Sequence, residues 1–341
     1  MKKVRIVALL ILSSGIMHSL YGQDPSFSQF FSSPLNINPA LTANINADWR
    51  AISNMRNQWQ GPASPYKTGT ISFDSKVFQR KLANIEDKNF MGMGAMMMYD
   101  YAMSGTVKST YASLNLSYNI LLAEEEGFFK HRLAVGFGAI YGRRHIEFDR
   151  LNFQEQFTGF GFNTNLPTGE VALSNMKPYI SSSAGITYSF STENSNLDIG
   201  VAGFHLNRPK QTFLEDPLQH LPLRKVAHAN FETYINDRVF LNTNMIFQYQ
   251  FAANYFSAGG ALGYDIGTEQ RTNVYAGVWW WSKNALIPYF GLAYKDFQVG
   301  VSYDFTTSKL AQANIKPKTW ELALILRGVK GPSKIVPCPW K

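Results

Sequence analysis

Hydrophobic and polar positions alternate one by one along most of the chain. In residues 108–122, KSTYASLNLSYNILL, one face carries Ala112, Leu114, Leu116, Tyr118 and Ile120, and the other carries Ser113, Asn115, Ser117 and Asn119. Successive side chains of a strand point to opposite sides, so one face of this stretch calls for an apolar medium and the other for a polar one. The pattern returns at 239–251, with Leu241, Met245, Phe247 and Tyr249 opposed to Asn242, Asn244, Gln248 and Gln250. It returns again at 297–305, with Val299, Val301 and Tyr303 opposed to Gln298, Ser302 and Asp304. Segments of this kind predict strands at 48–59, 66–78, 89–101, 108–122, 130–143, 178–191, 196–206, 224–236, 238–251, 254–266, 271–281, 286–296, 297–306 and 318–328.

Two features decide between a soluble sandwich and a membrane barrel. The polar faces are built from Ser, Thr, Asn, Gln and Gly rather than from charges, and many segments reach the ten or so residues that a tilted strand needs to span a bilayer. Aromatics gather at strand ends, as interfacial belts require: Trp49 and Trp59, Tyr99 and Tyr101, Tyr249 and Phe251, and Trp279, Trp280 and Trp281. The expected fold is therefore all-β, an outer-membrane β-barrel of about 14 antiparallel strands. An even strand count puts both ends of the barrel chain in the periplasm. The two longest connections, 145–177 and 207–223, follow odd-numbered strands and fall outside the cell.

Composition narrows the compartment. Lys2, Lys3 and Arg5 precede an apolar run from Ile6 to Leu12, and small Gly22 offers a cleavage site, so residues 1–22 read as a signal peptide. Losing those three cations lowers the formal net charge from +8 to +5, a scattered excess that does not suggest nucleic acid. One cysteine, Cys338, excludes an internal disulfide framework. The expected organisation is a plug or periplasmic segment at 23–47, a barrel at 48–328 and a periplasmic tail at 329–341. Truncation after Gly328 should leave barrel assembly intact.

The segment QDPSFSQFFSSPLNINPALTAN at 23–44 has neither helical nor strand period. Its prolines bar it from a central strand, and its Ser and Asn side chains can bond to a polar wall. It is expected to pack at or inside the periplasmic mouth. Together with WRAISNMRNQW at 49–59, a Tyr66-x-Thr68 then Ser72-x-Asp74 pattern, GFHLNRPKQTF at 203–213, SYDFTTSKL at 302–310, TWELALIL at 319–326 and the Pro337-Cys338-Pro339 ending, it resembles the PorP/SprF family of the type IX secretion system and gliding machinery of Bacteroidetes. The most specific motif residues are Asp24, Pro25, Phe27, Gln29, Phe30, Asn38 and Pro39. The resemblance implies an outer-membrane barrel of the secretion and motility apparatus. One branch of the family is tied to periplasmic ring components, and the other accompanies a surface adhesin or secreted protein whose C-terminal domain it retains; the Cys-Pro ending looks more like the second branch.

Catalytic chemistry has little support. The mature chain's histidines show no metal-ligand spacing, Gly92-Met-Gly94 and Gly136-Phe-Gly138 lie in strands rather than before helices, and no nucleophile elbow is present. No enzyme activity, metal or cofactor is expected. Glu124, Glu125 and Glu126 read as a solvated turn. The expected function is binding and anchoring of a secreted surface protein; the alternative is an outer-membrane channel or hydrophobic-solute transporter. Candidate partner-binding residues lie in the long outer loops: Phe153, Phe157, Phe160 and Phe162 in one, and Arg208, Lys210, Phe213 and Leu214 in the other. Expected partners are the C-terminal domain of that protein, periplasmic secretion and gliding components, and outer-membrane lipids, with no nucleic acid.

Overall fold

The computed structural model describes residues 23–61, 64–77, 81–82, 85–86, 89–125, 128–170, 176–211, 219–251, 253–267 and 272–328. Fourteen antiparallel strands close into a barrel: β1 Trp49–Gln60, β2 Tyr66–Val77, β3 Phe90–Ala102, β4 Val107–Glu125, β5 Phe129–Ile146, β6 Tyr179–Thr192, β7 Ser195–Phe204, β8 Arg224–Tyr234, β9 Val239–Gln250, β10 Ala253–Asp265, β11 Thr272–Trp281, β12 Ala285–Tyr294, β13 Phe297–Thr306 and β14 Lys318–Gly328. Each strand pairs with its neighbours in sequence. The last pairs with the first, from Trp49 opposite Gly328 to Gln60 opposite Lys318. All fourteen predicted strands are present with ends shifted by a few residues. A small ladder between Lys81–Leu82 and Ile85–Glu86, in the connection after β2, lies beyond that expectation.

Burial runs opposite to that of a soluble protein. On β4, Leu114 is 69% exposed while Asn115 and Asn119 are 2% and 0% exposed, and on β9 and β13 the polar partners named above are again the buried ones. An outward apolar face and an inward polar face suit a wall between lipid and lumen. Among the described residues no helix is long and apolar enough to cross a membrane; the strands do so. Outward aromatics gather near both rims: Trp49 stacks on Phe73 at the end where β1 begins, and Tyr99 meets Tyr101 while Trp280 meets Phe256 at the other.

Two aromatic assignments change. Period two cannot send three consecutive tryptophans the same way, and only Trp280 faces outward; Trp279 is 1% exposed inside the barrel and Trp281 also points in. Trp59 sits in a β-bulge, where the register slips between Asn57 and Gln60 and its φ of 62° turns the side chain away from the belt.

The connections sort by end. Odd strands lead into residues 147–178 and 205–223, whereas most even strands lead into short turns such as 193–194 and 295–296; 78–89 is the longer exception. Short turns belong to the periplasmic side of such barrels and long loops to the cell surface.

Candidate functional site

The hydrophobic core of this protein lies inside the barrel, and residues 23–48 form its centre. Prolines set the local shape of this segment. Pro34 opens a single α-turn, Pro34–Ile37, and Pro39 opens a 3-10 turn, Pro39–Leu41, each at a first helical position where the missing N–H costs nothing. Asn38 caps the second turn by accepting a bond from the Ala40 N–H at 2.9 Å.

Three sectors of the wall receive the segment. On the aromatic sector, Phe31 packs on Trp279 at 4.7 Å and on Tyr289 at 5.7 Å between ring centroids, with Phe30, Ile37 and Leu41 completing a cluster with Phe204, Phe240 and Ile287. Burying a phenylalanine contributes about 2 kcal/mol by area alone. On the small-residue sector, a Cβ at Gly136 would overlap the backbone of Pro39 and Ala40, so only glycine lets the 3-10 turn lie against β5. Here Asn38 donates to the carbonyls of Ile186 and Val201 and to Thr187 Oγ1 at 3.1–3.2 Å, and meets His228 Nε2 at 3.1 Å.

The charged sector is the most directional. Glu321 accepts the Ser28 N–H at 2.6 Å and the Gln29 N–H at 2.8 Å, Asp304 accepts the Ser28 hydroxyl at 2.7 Å, and Gln29 Nε2 reaches Ser302 Oγ at 3.0 Å. Arg56 joins both carboxylates, at 2.9 Å to Glu321 and 3.2 Å to Asp304, and donates to the Ser26 carbonyl. Nearer the periplasm, Asp74 accepts the Ala43 N–H at 2.7 Å while Arg50 grips it through two nitrogens, and Ser117 donates to the Thr42 carbonyl. At the loop end, Asp24 lies 2.8 Å from His205 Nε2 and 3.2 Å from Arg224, and its N–H donates to Gln250. Burial pushes the Asp24 carboxyl up, but His205 and then Arg224 outweigh it and hold the group well below the usual carboxylate range.

These contacts fix the path of the segment. Asp24 touches the ends of β7 and β9 and the start of β8, all at the loop rim, while Ala43 touches the far end of β2 at the opposite rim. The segment, expected at or inside the periplasmic mouth, is inside and runs through the whole lumen to the loop rim. Phe27, Phe30, Gln29, Asn38 and Pro39 are buried there; Asp24 forms the loop-end clasp, with Pro25 beside it.

The outer-loop candidates fare differently. Phe157 and Phe162 pair across a small bridge with rings 5.2 Å apart, half-buried Phe153 donates its N–H to Gln156 Oε1, and Phe160 stands fully exposed at the tip beside Gly159. Lys210 bridges to His220, whose Nδ1 donates to the Arg208 carbonyl at 2.8 Å. Phe213 and Leu214, like the tail at 329–341, lie outside the described residues.

Sequence reasoning missed the lumenal charges, although they lie in the stretches that carry the family resemblance. Arg50 and Arg56 come from 49–59, Asp74 from the Ser-x-Asp pattern, His205 from 203–213, Asp304 from 302–310 and Glu321 from 319–326. An ionisable side chain on the inward, polar face of a strand, where Ser, Thr, Asn and Gln predominate, was the signal available. Among the described residues no group of three His, Cys, Asp or Glu is placed to hold a metal.

Similar solved structures are outer-membrane barrels: the toluene transporter TodX of Pseudomonas putida (10% identity, TM-score 0.47, covering 90% of this chain and 93% of that one), the toluene transporter TbuX of Ralstonia pickettii (9%, 0.43, 85% and 92%) and the outer membrane protein Omp33 of Acinetobacter baumannii (9%, 0.38, 82% and 98%). No curated protein sequence matches the chain. The family described as type IX secretion system membrane protein PorP/SprF matches residues 19–325. With that match over nearly the whole described chain, the protein is an outer-membrane β-barrel that belongs to the PorP/SprF family of type IX secretion system membrane proteins.

Proposed function

We propose that this barrel binds a secreted surface protein through its outer loops, anchors it at the cell surface, and links it to the secretion and gliding machinery. Membership of the secretion-system family implies partners within that machinery. The observation that carries the anchoring reading is the filled lumen: residues 24–44 are held along its length by buried carboxylates, arginines and amides. A passive pore gains nothing from such a filling, whereas a protein whose work is on the surface must seal its barrel against leakage. Within the plugged stretch of the lumen, the cavity between Leu35, Met96, Asp24 and Arg224 holds about 30 Å³, room for a water-sized molecule. Exposed Phe157, Phe160 and Phe162 supply the aromatic contacts that protein interfaces favour.

Pulling the barrel down from secreting cells tests this directly. A secreted protein is expected to stay attached to the intact barrel and to be lost when residues 152–165 and 208–216 are deleted. If the barrel comes down alone from cells that secrete normally, or the deletions leave the partner attached, anchoring through these loops is wrong and the transporter reading moves ahead.

A further inference from the structure

At its loop end the lumen opens into a cavity of about 450 Å³, floored by residues 23–26 of the plug. Two aromatic pairs face it: Trp59 and Tyr66 meet edge to face with ring centroids 5.7 Å apart, and Tyr255 and Trp281 lie 5.0 Å apart. Trp59 takes its place only through the bulge that gives it a φ of 62°, a conformation that bulky side chains rarely adopt and that persists where the surroundings enforce it. Its N–H is held by Thr319 Oγ1 at 3.0 Å. Strain of this kind concentrates at binding sites, and here its effect is to move a large ring from the lipid belt to the vestibule.

A carboxylate lines the same cavity. Asp100 accepts a bond from Thr68 Oγ1 at 2.6 Å and is partly buried at the cavity wall. No side chain lining the vestibule is Lys, Arg or His, although Asp24 also lies on its floor. Aromatic faces and carboxylates attract the same guest, a cation. Trp281 already holds one, since the Arg56 guanidinium lies 4.9 Å from its ring centroid with Glu321 and Asp304 balancing the charge. Trp59 and Tyr66 face the vestibule with no cation over their rings among the described residues, beside Asp100, on which the charge of Arg144 also acts from outside the lining.

We propose that the vestibule takes a lysine or arginine side chain on an extended segment of the surface protein the barrel anchors. The identity of the guest rests on the anchoring reading; the cation preference does not. The cavity is near the small end of ligand sites, about 300–1,000 Å³, so it holds a few residues of a segment while the domain itself rests on the loops above.

Purified full-length barrel would be titrated with the pentapeptides Gly-Gly-Arg-Gly-Gly and Gly-Gly-Glu-Gly-Gly and with maltotriose, followed by tryptophan fluorescence and calorimetry. Saturable binding of the arginine peptide alone is expected, weakened about tenfold or more by Asp100→Asn and by Trp59→Ala. Asp100→Asn keeps the side-chain shape, and unchanged heat-dependent gel mobility would show that each variant is folded. Equal binding of the glutamate peptide, preference for maltotriose, no binding of any probe, or indifference to Asp100→Asn would each overturn the proposal. If the peptide fails while a secreted protein still co-purifies, the vestibule is wrong and the anchoring stands; peptide binding without a co-purifying protein leaves a cation site and removes the anchoring.

Discussion

Glu321 shows how much one buried side chain can organise. Its two oxygens accept the amides of Ser28 and Gln29, and Arg56 pairs with it from the wall. Glu321→Gln keeps the shape but leaves Arg56 with Asp304 alone, and breaking a buried charge cluster in this way costs on the order of 3 kcal/mol. The variant is expected to unfold at clearly lower urea concentration in a gel-mobility assay; an unchanged midpoint would show that the cluster does not hold the plug. Asp24 gives a pH dependence with a definite sign. Its folded pKa lies below the ordinary value of about 3.9, so its stabilisation is fully present above that value and fades as pH falls through the folded one. The difference in melting temperature between the wild type and Asp24→Asn should shrink as pH falls below the ordinary carboxylate value. A difference that widens toward acid would contradict the clasp. At this scale the sequence was legible only in part. Alternation told inward from outward for Asn115 and Leu114, but it could not say that Arg50 and Asp74 meet, because their contact depends on the pairing of β1 with β2 and on the plug between them.

The strands were the most legible elements, because period two is written locally and each strand needs only its own residues to show it. The plug was not. Its turns are set by Pro34 and Pro39, which the sequence displays, but its path is set by β2, β7, β8, β13 and β14, which lie far away in the chain. For the same reason Trp279 was expected in the interfacial belt, whereas it turns inward to meet Phe31. A filled lumen has a measurable counterpart: deleting residues 24–44 from the folded barrel should raise single-channel conductance in planar bilayers. Conductance equal to that of the intact protein would show that the wall collapses or that other segments close it.

For the whole molecule, the two rims differ in what they expose. The loop rim carries the aromatic tip at Phe160, the vestibule and the clasp on Asp24, while the opposite rim carries short turns and the junction of plug and wall at Asp48. An epitope inserted between residues 22 and 23 should therefore be reached by antibody on intact cells, and one placed after Gly328 should not; the reverse result would invert the barrel in its membrane.

The position of the plug also constrains the order in which the protein is made. Residue 24 lies at the rim opposite the start of β1, and the seam between Trp49 and Gly328 joins the first strand to the last. A cylinder closed first would have to draw a free end and the rings of Phe30 and Phe31 through a passage already lined by Trp279 and Tyr289. A curved, still open sheet that wraps around the segment and zips its two edges together last needs no such passage. In that order the plug serves as a template for the wall, and the seam between β1 and β14 is the place where the cylinder can close around it.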